Sequence, residues 1–141
     1  MYKKIIVPIE IGALERGERS LRKAMTLLDD GGKIVLLNVV EDVPGYMTID
    51  LPPDLIENAI LDGRAKLEAM CVRVGVTASV EIRRGPPASN IIATAQEHEA
   101  DLIIVASHVP DYSNYFIGAT ADRVVRHAKC SVLVDRWPEK K

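Results

Sequence analysis

Short aliphatic runs and segments of helical period alternate along this chain from end to end, and that alternation most constrains its fold. Three runs, Ile5 to Ile9, Ile34 to Val40 and Leu102 to Ala106, are apolar without a period of two. Strands buried on both faces of a parallel sheet read this way. Two more runs, Ala78 to Ile82 and Ser131 to Val134, are shorter and partly alternating, as edge strands often are. Between the runs, apolar residues spaced three, four and seven apart make stripes that would face a sheet. Leu14, Leu21, Ala24, Met25 and Leu28 form the first, ending at an Asp30-Gly31-Gly32 turn. Ile56, Ile60, Gly63, Leu67, Met70, Cys71 and Val74 form the second, with Gly75 just past its end. Ile91, Ile92 and Ala95 form the third, and Ala121, Val124, Val125 and Ala128 the fourth.

The order is therefore βαβαβαβαβ, an α/β pattern. It predicts an open parallel sheet of five strands with helices on both faces and right-handed crossovers. The expected strand order is 3-2-1-4-5, with three strands winding outward and the fourth returning to pair with the first. A chain of 141 residues is expected to be a single domain spanning 1–141. One connection, Glu41 to Pro52, is unusually long and is a candidate lid or a variable loop.

Composition narrows the function classes. Eighteen Lys and Arg against 20 Asp and Glu, with the basic residues scattered, leave no basic field for nucleic acid. The N-terminal run is too short for a signal peptide core, and no stretch approaches the roughly 20 apolar residues of a bilayer span. A cytoplasmic protein without membrane insertion is expected. Cys71 and Cys130 lack metal-ligand spacing and read as reduced packing residues.

In an open doubly wound sheet, ligands bind beyond the carboxyl ends of the strands where strand order reverses. Those ends read Pro8-Ile9-Glu10 and Ala106-Ser107-His108. Gly118-Ala119-Thr120 opens the fourth helix, and unpaired N–H groups at a helix start suit phosphate oxygens. Neither a P-loop nor a G-x-G-x-x-G motif occurs. Asp122 and Arg126 are four apart and are expected to pair on the solvated face of the fourth helix. His98 reads as a solvated helix residue, and His127 as a last-turn residue complementing the helix dipole.

From Lys4-Ile5-Ile6-Val7-Pro8-Ile9 to Ser131-Val132-Leu133-Val134 the chain resembles the universal stress protein family. Ala106-Ser107-His108-Val109-Pro110-Asp111, Tyr115, Gly118 and Val125-Arg126-His127-Ala128 resemble a branch with an A-S-H-x-P-D motif and a shortened loop. The resemblance implies that the protein binds an adenine nucleotide, ATP or AMP, with Mg²⁺ as an optional companion. It implies that Pro8, Ile9 and Glu10 flank the adenosine, Glu10 standing where the family usually has aspartate. Val39 would read the adenine edge through its backbone. Ala106, Ser107 and His108 would line the ribose and phosphates, and Gly118, Ala119 and Thr120 would receive phosphate oxygens. It also implies a homodimer paired through the last strand, acting as a regulatory or stress-response protein with an unidentified protein partner.

Two other readings stand beside this one. In a slow ATP hydrolase, His108 would be the base that orients water. In an interaction module, the nucleotide site would have decayed, since Ala106, Val109 and Ala119 replace motif residues. A phosphoacceptor receiver domain is excluded, because Glu10 stands alone and strand three runs into Arg83-Arg84.

Overall fold

The computed structural model describes residues 1–42, 52, 54–107 and 118–136. The strands are β1 (Tyr2–Pro8), β2 (Leu28–Val40), β3 (Ser79–Arg84), β4 (Leu102–Ser107) and β5 (Ser131–Arg136). The helices are α1 (Leu14–Leu27), α2 (Leu55–Val74), α3 (Pro87–Glu97) and α4 (Ala119–His127), with a short 3-10 turn at Ile11–Ala13. All strands pair parallel in the order β3-β2-β1-β4-β5, as the alternation predicts.

The central apolar runs fall in the sheet because most of their residues are buried on one face or the other. Ile5, Val7, Leu36, Leu102 and Ile104 pack with Leu21 and Ala24 of α1 and Leu67 and Met70 of α2. Ile6, Val35, Leu37, Ile103 and Val105 pack on the other face with Ala88, Ile91 and Ala95 of α3 and Val124 of α4. Each fully buried Leu or Ile contributes roughly 1.5–3 kcal/mol relative to an exposed one. Two helices thus cover each face. Gly75 sits at φ 80° and stops α2, where a side chain would be strained.

The expected stripes need three corrections. Helix α1 ends at Leu27, so Leu28 belongs to β2 and pairs with Tyr2. The Asp30-Gly31-Gly32 segment is not a turn before a strand but an irregularity inside it, where the register jumps from Tyr2↔Leu28 to Lys4↔Lys33. Gly31 absorbs the bend at φ 80°. Met25 and Val125, assigned to the buried stripes, are exposed; each stands one position beyond a buried neighbour, Ala24 and Val124.

His98 is also corrected. It caps α3 and its Nε2 lies 2.8 Å from Glu81 Oε1 on β3, so it is a tie between helix and edge strand. Burial alone would push the Glu81 carboxyl up, but the hydrogen bonds from His98 and Arg83 hold it below its usual range. Arg83 also forks onto Glu97, at 2.8 and 2.9 Å. His127 lies in the last turn of α4 as expected, and Asp122 accepts from Arg126 at 3.0 Å. Both thiols are pushed up by burial, consistent with Cys71 and Cys130 as packing residues.

The start of β1 is held by a carboxylate. Asp101 Oδ2 accepts from Lys3 N–H at 2.9 Å and its Oδ1 from Lys4 N–H at 3.0 Å. Burial raises the Asp101 carboxyl, but these backbone donors outweigh it and hold the group below its ordinary value. A depressed folded value means the contribution is present above the unfolded pKa and lost as pH falls through the folded one. Asp101→Asn is therefore expected to cost about 1–2 kcal/mol at neutral pH, the worth of a charge-assisted bond in a partly exposed setting. Chemical denaturation of both proteins checks it: the gap should close as pH falls through the carboxylate's lowered folded value.

Candidate functional site

The strand order reverses at β1, which pairs with β2 on one side and β4 on the other. Crossovers leave these two strands toward opposite flanks, so a crevice opens beyond their carboxyl ends. A cavity of about 610 Å³ lies there, within the range of small-molecule sites. Pro8, Ile9 and Glu10 from the end of β1, Val39 from β2, Ala106 and Ser107 from β4, and Gly118, Ala119 and Thr120 from the start of α4 all line it. Four segments of the chain thus meet at one opening. His108, together with Pro110, Asp111 and Tyr115, lies outside the described residues, as does 43–51 of the long Glu41 to Pro52 connection.

Local chemistry shapes each wall. Ile9 N–H donates to Leu37 O at 2.7 Å, and Asn38 Nδ2 donates to Ile9 O at 2.9 Å. Both groups of Ile9 are therefore fixed, and the chain turns at Glu10 into the 3-10 segment. Helix α1 then passes so close that a Cβ on Gly17 would stand 2.5 Å from Ile9 Cγ2. Likewise α2 crosses β2 at Gly63, where a Cβ would meet Asn38 Oδ1 at 2.9 Å. These glycines let two helices close down on the strand ends.

At the opposite wall Gly118 precedes α4 with φ 88° and ψ 151°, a conformation essentially reserved for glycine. Its carbonyl accepts from Asp122 N–H at 2.9 Å, which starts the helix and leaves the N–H groups ahead of it without intrahelical partners. Thr120 is half-buried in the wall while Ala119 is exposed, so a hydroxyl is present one position after the one the family motif uses. Its direction differs by about 100° around the helix.

Sequence reasoning missed Arg16, Asn38 and Asp62, which also line the cavity. Asn38 carried a signal, being a polar residue inside an apolar strand and only 6% exposed. Arg16 carried none. It reaches the cavity from the first turns of α1, with its Nη2 4.0 Å from Glu10 Oε2. Among the described residues no cluster of three or more His, Cys, Asp or Glu gathers that could hold a metal ion.

Comparison with known proteins places this arrangement. Universal stress protein G of Shigella flexneri is 30% identical over 145 residues, covering 96% of this chain and all of the relative. The universal stress protein UspA of Lactobacillus plantarum superposes with a TM-score of 0.69 at 24% identity, over 96% of this chain and 98% of that one. A universal stress protein in complex with cAMP has a TM-score of 0.65 at 20% identity, covering 95% and 96% of the two chains. A family protein of Arabidopsis thaliana with AMP bound gives 0.62 at 19%, covering 95% and 90%. The family model for universal stress proteins matches residues 1–136, and the chain belongs to that family.

Proposed function

We propose that the crevice binds an adenine nucleotide, ATP or AMP, and that the protein is a dimeric cytoplasmic regulator of stress response rather than a metabolic enzyme. One observation carries this reading: every described residue that the family resemblance assigns to adenosine and phosphate lines a single cavity at the switch point. Two family structures hold cAMP and AMP, which supports an adenine ligand. In this reading Pro8 and Ile9 flank the base, Val39 reads its edge through the backbone, and Ala106 and Ser107 face the ribose. Gly118 and the first amides of α4 take a phosphate, with Thr120 supplying the hydroxyl that Ala119 lacks. Mg²⁺ would arrive with the phosphates. His108 and the A-S-H-x-P-D branch assignment belong to the same reading.

The dimer would form through the free edge of β5, which pairs with β4 on its other side. Isothermal titration calorimetry and thermal shift test the ligand. AMP or ATP should bind at micromolar affinity or weaker, 1 µM corresponding to roughly −8 kcal/mol. No heat and no shift at millimolar nucleotide with Mg²⁺ would leave an interaction module as the better reading.

A further inference from the structure

We infer that Asn38 sets the choice of base in the crevice, because its side chain draws the Ile9 carbonyl out of the β1–β2 ladder and frees both backbone groups of Val39. This rests on the adenine reading above and goes beyond it in naming the side chain that makes the base contact possible.

The register leaves one rung unmade. In a parallel ladder, alternate residues of a strand bond one neighbour through both N–H and C=O, and the residues between them bond the other. On β2 the odd-numbered residues turn to β1: Leu37 pairs with Pro8, and Ile9 N–H donates to Leu37 O at 2.7 Å. The even-numbered ones turn to β3, where Gly85 N–H donates to Val40 O at 3.0 Å. The next rung toward β1 would join Val39 N–H to Ile9 O and Ile11 N–H to Val39 O. Among the described residues neither bond is made, although β2 runs on to Val40. Both groups of Val39 are therefore directed past the end of β1, where Val39 lines the cavity.

Asn38 accounts for the missing rung. Its Nδ2 donates to Ile9 O at 2.9 Å, so a side chain satisfies the acceptor that the ladder would use. Released from the ladder, the chain turns at Glu10 into Ile11–Ala13 and carries Ile11 N–H away from Val39 O. An amide only 6% exposed in an apolar strand is costly unless it is bonded, and here the bond is to the end of β1. Helix α2 leaves room for it at Gly63, where a Cβ would stand 2.9 Å from Asn38 Oδ1.

The freed pair is one donor beside one acceptor. Adenine presents the complement, a ring-nitrogen acceptor beside the 6-amino donor. Hypoxanthine has a carbonyl in place of the amine and a proton on N1. In the same pose it sets acceptor against acceptor and donor against donor. AMP and IMP share their sugar and phosphate, so the ratio of their affinities isolates the base contact from the rest of the site.

Titration of AMP and IMP into the parent, Asn38→Leu and Asn38→Asp tests this. The parent should bind AMP about tenfold or more tightly than IMP, as a two-point base contact discriminates. Leucine and aspartate approximate the size of asparagine, but neither donates to Ile9 O. Each should let Val39 N–H close onto Ile9 O and bring AMP to within about threefold of IMP, since an orphaned carbonyl takes the nearest donor. A merely structural loss would weaken both ligands alike and leave the ratio unchanged. Amide hydrogen exchange on the parent needs no variant: the Val39 amide should exchange as an unbonded group and gain protection with AMP. A Val39 amide protected before ligand is added, a parent that binds AMP and IMP alike, or folded variants that keep the full ratio would overturn the role of Asn38 while leaving a nucleotide site standing. If the parent binds neither AMP nor IMP, the adenine reading itself fails and takes this inference with it.

Discussion

Gly118→Val is expected to abolish nucleotide binding, by about a hundredfold or more, while the protein still unfolds cooperatively. Two effects act together at this position. A branched side chain would project where the α4 amides meet a phosphate, shielding N–H groups that remain in place. Gly118 also holds φ 88° and ψ 151°, which a β-branched residue adopts only with strain of about 1–3 kcal/mol. Relief of that strain would swing the start of α4 and misdirect the same donors. Gly118→Ala separates the two, since it keeps most of the strain and removes most of the shielding. Calorimetry with AMP reads the outcome, and parent-like affinity in a folded Gly118→Val protein would place the phosphate elsewhere.

Proline in β5 is expected to turn the proposed dimer into a monomer. The strand pairs with β4 from Leu102↔Ser131 to Ser107↔Arg136, which leaves its other edge with unpaired backbone groups. Val132, Leu133 and Val134 are half-buried within one chain, so an antiparallel partner would cover both the backbone edge and apolar surface. Successive residues of a strand point their amides to opposite sides. Proline at Leu133 and at Val134 therefore removes donors on opposite edges, and one of the two strikes the outer edge alone. That variant should stay folded and sediment as a monomer, whereas the other should lose stability through its bond to β4. A monomeric parent, or dimers from both folded variants, would count against this interface.

Asp135 bears on the same edge. The sequence places it among charged residues following an apolar strand, where it would limit growth at the edge. In the structure β5 runs on through Arg136, and Asp135 is 4% exposed. Its Oδ1 lies 2.7 Å from Lys23 Nζ, and its Oδ2 lies 3.5 Å from Ser20 Oγ and 3.6 Å from Arg19 Nε. The carboxylate fastens the edge strand to α1. A buried carboxylate with these partners is costly to strip of them, so its role is to position β5 rather than to repel neighbours.

The five strands, the four helices and their order are legible in the residues alone, because hydrophobic period is a local property that each segment carries. The residues also point to Pro8, Ile9, Ala106, Ser107 and Gly118 as candidates, because the ends of buried strands and the start of a helix are legible from where apolar runs stop. What crosses between elements is set by packing. Leu28 left the helix because pairing with Tyr2 drew it into β2. His98 became half-buried and paired because β3 brought Glu81 beneath the end of α3. Arg16 and Asp62 entered the crevice because Gly17 and Gly63 let their helices approach Ile9 and Asn38. Such contacts join residues that share no period and no neighbourhood along the chain, so packing alone assigns the charge that lines the site.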